Sequence, residues 1–79
     1  MSFGTRVRSL RHLRGFTVEA LARRAGLHPA TVGRIERGLA PTLPAINALA
    51  QALDVPAVEL ANEALRDVAR SAEPIEAAG

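Results

Sequence analysis

The chain has 79 residues, 48% of them apolar, no cysteine and a formal net charge of +2. Such a length gives one small domain, and the missing cysteine excludes disulfide staples and thiolate metal sites. No stretch is apolar over the roughly 18 residues that a membrane span requires, and the N-terminus lacks the apolar run of a secretion signal, so the expected compartment is the cytoplasm.

The sequence pI of 11.0 reflects the lack of lysine, tyrosine and cysteine more than an excess of charge. How the charge is distributed says more. Residues 1–40 carry eight arginines against Glu19 and Glu36, a local charge of +6, whereas residues 41–79 carry Arg66 and Arg70 against six acids, a local charge of −4. A chain polarised in this way offers one face to phosphates and keeps the other clear of them, the footprint expected of a nucleic-acid binder. Arginine-rich helix faces that are simply solvated are the alternative reading of the charge.

In chain order, apolar spacing predicts helices over 3–14, 18–25, 29–37, 43–53 and 56 to about 70, separated by short polar or glycine-proline turns. No stretch alternates at period two over the length of a strand, so the expected fold is all-α. The second helix begins at Thr17, a cap whose hydroxyl can accept a hydrogen bond from an unpaired backbone N–H, and lines one face with Val18, Leu21, Ala22 and Ala25. Gly26 stops it, since glycine takes a left-handed conformation without a side-chain clash. The third helix follows at once: Leu27 is the apolar residue of the turn, His28 the cap and Pro29 the first helical residue, where a missing N–H costs nothing. Val32 and Ile35 form its inner face and Gly38 closes it. In the fourth helix Ile46, Leu49 and Leu53 face the core. The segment EPIEAAG at the end is expected to fray.

The block FTVEALARRAGLHPATVGRIERG resembles the helix-turn-helix of the Cro/repressor-type (Xre-like) family. The likeness runs on either side of it, from FGTRVRSLRHLRGFT, similar to the family's first helix and turn, to GLAPTLPAINALAQALDVPAVEL, similar to its fourth and fifth helices. It covers roughly Phe3 to Leu60. It implies a five-helix bundle of the phage-repressor DNA-binding-domain type, here with an extended C-terminal helix. Residues 1–62 would form the DNA-binding domain, 63–72 a helical extension and 73–79 a disordered tail. The implied function is sequence-specific binding of double-stranded DNA by a homodimeric transcriptional regulator, a repressor, with no cofactor.

The resemblance also implies a set of site residues. The third helix would enter the major groove and present His28, Pro29, Ala30, Thr31, Gly33 and Arg34 to base edges. This face is poor in hydrogen-bonding side chains. Pro29 and Ala30 offer only apolar contacts, such as to a thymine methyl, while the guanidinium of Arg34 fits guanine O6 and N7. A phosphate contact is the alternative for Arg34. Gly33 costs helix stability, and either lets backbone approach DNA or is a tolerated surface glycine. Thr17 and Val18 fall where the family contacts phosphate, although valine cannot donate, and Arg37 and Thr42 match the loop that touches the sugar-phosphate chain.

Arg11 and Glu36 match an arginine–glutamate pair that fixes the third helix against the first. Along the last helix, Val58, Ala61, Leu65, Val68 and Ala72 make an apolar stripe, read either as a homodimer seam or as a face that folds back on its own core. His12 and His28 have no carboxylate at ligand spacing to both, so no metal site is expected. No nucleophile-base pair or phosphate-cradling loop can be assembled, and an enzyme is not expected. The competing function is an antitoxin-like or co-regulator module acting through a protein partner, for which the side-chain-poor third helix is the best argument.

Overall fold

The computed structural model describes residues 2–71. They form five α-helices, α1 (Phe3–Leu13), α2 (Val18–Ala25), α3 (Pro29–Glu36), α4 (Leu43–Leu53) and α5 (Ala57–Ser71), with no strand among the described residues. The helices expected to end at 14 and 37 each stop one residue earlier, because Arg14 and Arg37 serve as C-caps, and α5 begins one residue after the expected 56. The end of the apolar stripe, Ala72, and the tail expected to fray lie outside the described residues.

Local chemistry sets each boundary. Ser2, Thr17 and Thr42 stand in extended conformation before α1, α2 and α4, and their hydroxyls accept from Thr5 N at 3.1 Å, Ala20 N at 3.0 Å and Ala45 N at 3.2 Å. Gly26 ends α2 at φ 71° and lets Leu27 N–H return to Ala22 O at 2.9 Å, so the chain reverses into α3 within two residues. At the end of α4 the left-handed position is taken by Asp54, at φ 57°, a conformation tolerated by short polar side chains. Arg14 supports that terminus from α1 by donating to Leu53 O at 2.9 Å and Asp54 O at 3.3 Å.

The core is one cluster to which every helix contributes: Phe3, Val7 and Leu10 from α1, Leu21 and Ala22 from α2, Val32 and Ile35 from α3, Ile46, Leu49 and Leu53 from α4, and Leu60 from α5. Alanines at buried positions in α2 and α4 let helix axes approach, a use of small residues suited to a core with only one buried phenylalanine. Helices α1 and α3 also approach closely. At Gly4 a β-carbon would run into the carbonyl oxygen of Ile35 and stand 2.9 Å from that of Glu36. No buried side-chain nitrogen or oxygen among the described residues lacks a hydrogen-bond partner.

Candidate nucleic-acid interface

The position of α3 follows from what it buries. Val32 and Ile35 are almost wholly enclosed, and the carboxylate of Glu36, on the same side, is gripped by Arg11: Nε donates to Oε2 at 2.7 Å and Nη2 to Oε1 at 3.1 Å. Arg11 also donates through Nη1 to Phe16 O at 2.9 Å, so one buried guanidinium ties α3 to α1 and to the turn before α2. The hydrogen bond to Glu36 raises the Arg11 pKa above its ordinary value, helped by the charges of Glu36 and Glu19 and opposed by burial. Arg8 adds a longer contact to Glu36, 3.5 Å, from a more exposed position.

With these three side chains turned inward, helical geometry of about 100° per residue places Ala30, Gly33, Arg34 and Arg37 on the opposite, outward side. Thr31 lies at its edge, and exposed His28 and Pro29 lead into it. His28 caps the helix through its ring, Nδ1 accepting from Ala30 N at 3.0 Å. An acceptor Nδ1 carries no proton, so the neutral ring keeps its hydrogen on Nε2. The surface thus combines a floor of small residues with two cationic side chains. Both arginines are exposed, and neither has an acidic partner among the described residues.

Other residues singled out from the sequence are distributed around this face. The hydroxyls of Thr17 and Thr42 accept the capping bonds of α2 and α4 and keep their hydrogens free to donate. Val18 is half-buried against the core, so this position can offer only its backbone. Arg37 caps the end of α3. The apolar stripe of α5 divides: Ala61 packs on its own core, whereas Val58, Leu65 and Val68 stay more than half exposed. Leu65 and Val68 line an open groove of about 960 Å³ with Leu39, Leu43, the N-terminus of α1 and Asp67. No cluster of three metal-ligating side chains occurs, and no helix is long and apolar enough to cross a membrane, among the described residues.

Several structural contacts escaped sequence reasoning: Gly4, Arg14, Asp67, and Arg24, whose guanidinium lies 4.8 Å from the centre of the Phe16 ring. Of these only Gly4 leaves a sequence signal, as an unforced glycine inside an otherwise periodic helix.

Comparison with known proteins agrees with this architecture. A family described as a helix-turn-helix domain matches residues 2–62. Among solved structures the chain is similar to the restriction-modification controller protein C.AhdI from Aeromonas hydrophila, with 44% sequence identity and a TM-score of 0.70, covering 73% of this chain and 89% of that one. No curated protein matches the chain. An exposed, cationic second helix in a matched helix-turn-helix, on a fold shared with a controller protein, places this chain in the Cro/repressor-type (Xre-like) helix-turn-helix family of DNA-binding transcriptional regulators.

Proposed function

We propose that the protein is a sequence-specific regulator that acts in the cytoplasm as a homodimer, inserts α3 into the major groove of duplex DNA and represses transcription by occupying its operator. The observation that carries this reading is the outward face of α3, where Arg34 and Arg37 share the surface with Ala30 and Gly33, with no acidic partner among the described residues, while Arg11 and Glu36 hold the helix from behind. Arg34 reads a guanine through its forked N–H groups. Arg37 supplies a phosphate contact, Thr31 and the Nε2–H of His28 assist at base acceptors, and Thr17 and Thr42 lie at helix starts that can meet the sugar-phosphate chain. The controller role of C.AhdI supports the regulatory part of the reading.

The homodimer rests on the groove. Leu39, Leu43, Leu65 and Val68 expose 52–66% of their surface and converge there from the α3–α4 connection, α4 and α5. A second copy is the occupant that suits a patch of this kind, because a two-fold axis through it buries both copies' apolar residues at once and matches a palindromic operator. Sedimentation of Leu65→Glu checks it: a folded, monomeric protein with weakened operator binding is expected, and an unchanged dimer rejects the seam.

Selecting bound fragments from random duplex DNA, then titrating Arg34→Ala on the selected operator and its single-base variants, tests the readout. The substitution should cost roughly 1–3 kcal/mol and relax one guanine per half-site. An unchanged ranking of the variants would make Arg34 a phosphate clamp. Absence of salt-dependent duplex binding by the native chain would favour a module that works through a protein partner.

A further inference from the structure

Gly33 lies inside α3, and unlike Gly15, Gly26 and Gly38 it does not adopt a positive φ, so the backbone gives no reason for glycine there. Alanine would serve the helix better. The space a side chain would enter is bordered by another residue's side chain. A β-carbon at position 33 would stand 3.2 Å from Nη1 of Arg37, 3.8 Å from Nη2 and 3.9 Å from Cζ. Arg37 therefore folds back from the end of α3, and its guanidinium lies on the bare backbone one turn earlier.

We propose that Gly33 is a positioning residue whose missing side chain forms the seat of the Arg37 guanidinium, and so holds that cation on the DNA-facing side of α3 for a backbone phosphate. The inference rests on the DNA-binding reading above. Helical geometry puts Gly33 and Arg34 on opposite flanks of the outward face, with Ala30 between them. Seating the Arg37 guanidinium on the Gly33 flank sets one cation on each side of the helix, toward opposite walls of the groove. An arginine at a helix end otherwise spreads over many rotamers. Restricting it beforehand reduces the ordering that DNA contact demands. Glycine at position 33 thus trades helix stability for placement of charge.

Gly33→Ala, Arg37→Ala and the double variant test this on the full chain with the selected operator. Gly33→Ala should keep or raise the melting temperature, by up to about 4–8 °C. It should also weaken operator binding roughly tenfold and reduce the salt slope by about one phosphate per subunit, as Arg37→Ala does. The double variant should bind no worse than Arg37→Ala alone. In the free protein, side-chain NMR should show Arg37 Nε–H restrained in the native chain and mobile in Gly33→Ala. Native affinity and slope in Gly33→Ala would overturn the seat, and so would a lowered melting temperature. A Gly33→Ala loss that persists in the Arg37→Ala background would show the glycine acting by its own approach to DNA. A native chain that restrains Arg37 but binds no duplex would instead overturn the DNA reading and leave the seat without its phosphate.

Discussion

Helix α1 is joined to α3 and to the second half of α5 by different physics. Where α1 meets α3, contact is tight and ionic: Gly4 lets the backbones touch, and Glu36, with its side chain only 3% exposed, is clamped by Arg11. The second half of α5 meets α1 through one polar contact among the described residues, Asp67 Oδ2 accepting from Phe3 N at 2.6 Å, while Leu65 and Val68 face outward. That half also lies past residue 62, where the match to the helix-turn-helix family ends. A helix that must be presented to DNA at a fixed angle needs an anchor that does not yield. On the homodimer proposed above, α5 needs only enough attachment to stay in place, with its apolar side left over.

The largest effect that sharpens this contrast is expected from Arg11→Ala. It strips the bidentate partner from an almost fully buried carboxylate, which costs about 3–5 kcal/mol, and Arg8 at 3.5 Å should hold the loss to the lower end of that range. Thermal melts check this. A shift of only a few degrees would mean that Arg8 or water replaces the lost guanidinium, and the contrast between the two attachments would weaken. The sign of the Arg11 shift adds a condition. Its folded pKa is raised, so the arginine's contribution is complete below the unfolded value and fades only far into the alkaline range, and varying pH around neutrality should not titrate it.

Next in size is Gly4→Ala. The new methyl group meets the carbonyl oxygens of Ile35 and Glu36, backbone atoms that cannot rotate away, so α1 and α3 must part. Overpacking of this kind costs about 1–3 kcal/mol, a little of it offset by alanine's better helix propensity. Because α3 moves with the change, operator affinity should fall more than denaturant midpoints suggest. Equal loss in both would mean that the interface relaxes without tilting the helix.

These two residues also mark what the sequence made readable. Arg11 and Glu36 could be named as a pair because the family resemblance assigned them roles, and the starts of α2 and α3 were readable because Thr17, His28 and Pro29 act through neighbouring backbone groups. Apolar spacing reached the cores of α2, α3 and α4 for the same local reason. Gly4, Arg14 and Asp67 were missed, since their partners lie at sequence separations of 31 or more and depend on how helices dock. The seat at Gly33 was missed for another reason. One turn separates it from Arg37, but a pattern of side chains does not reveal where a flexible guanidinium comes to rest. The stripe of α5 stood open between seam and core, and the fold divides it, with Ala61 turned toward the core and Leu65 and Val68 turned away.

The smallest effect tests the attachment of α5. Asp67→Ala removes the acceptor for Phe3 N–H, a charge-assisted bond at the start of α1, where a carboxylate also suits the helix dipole. Hydrogen bonds to charged groups contribute about 1.5–3 kcal/mol. Here the carboxylate is 28% exposed and also shared with Arg70 at 3.5 Å, so water can take over part of its role and a loss of about 1 kcal/mol is expected. The change should be local. Amide exchange should quicken from Asn62 to Arg70 and at the first turn of α1, while Leu21, Val32 and Leu49 keep the protection of the whole fold. Uniform acceleration across the core would show that this contact is as integral as the Arg11–Glu36 clamp, and the contrast between a rigidly held α3 and a loosely tied second half of α5 would fail.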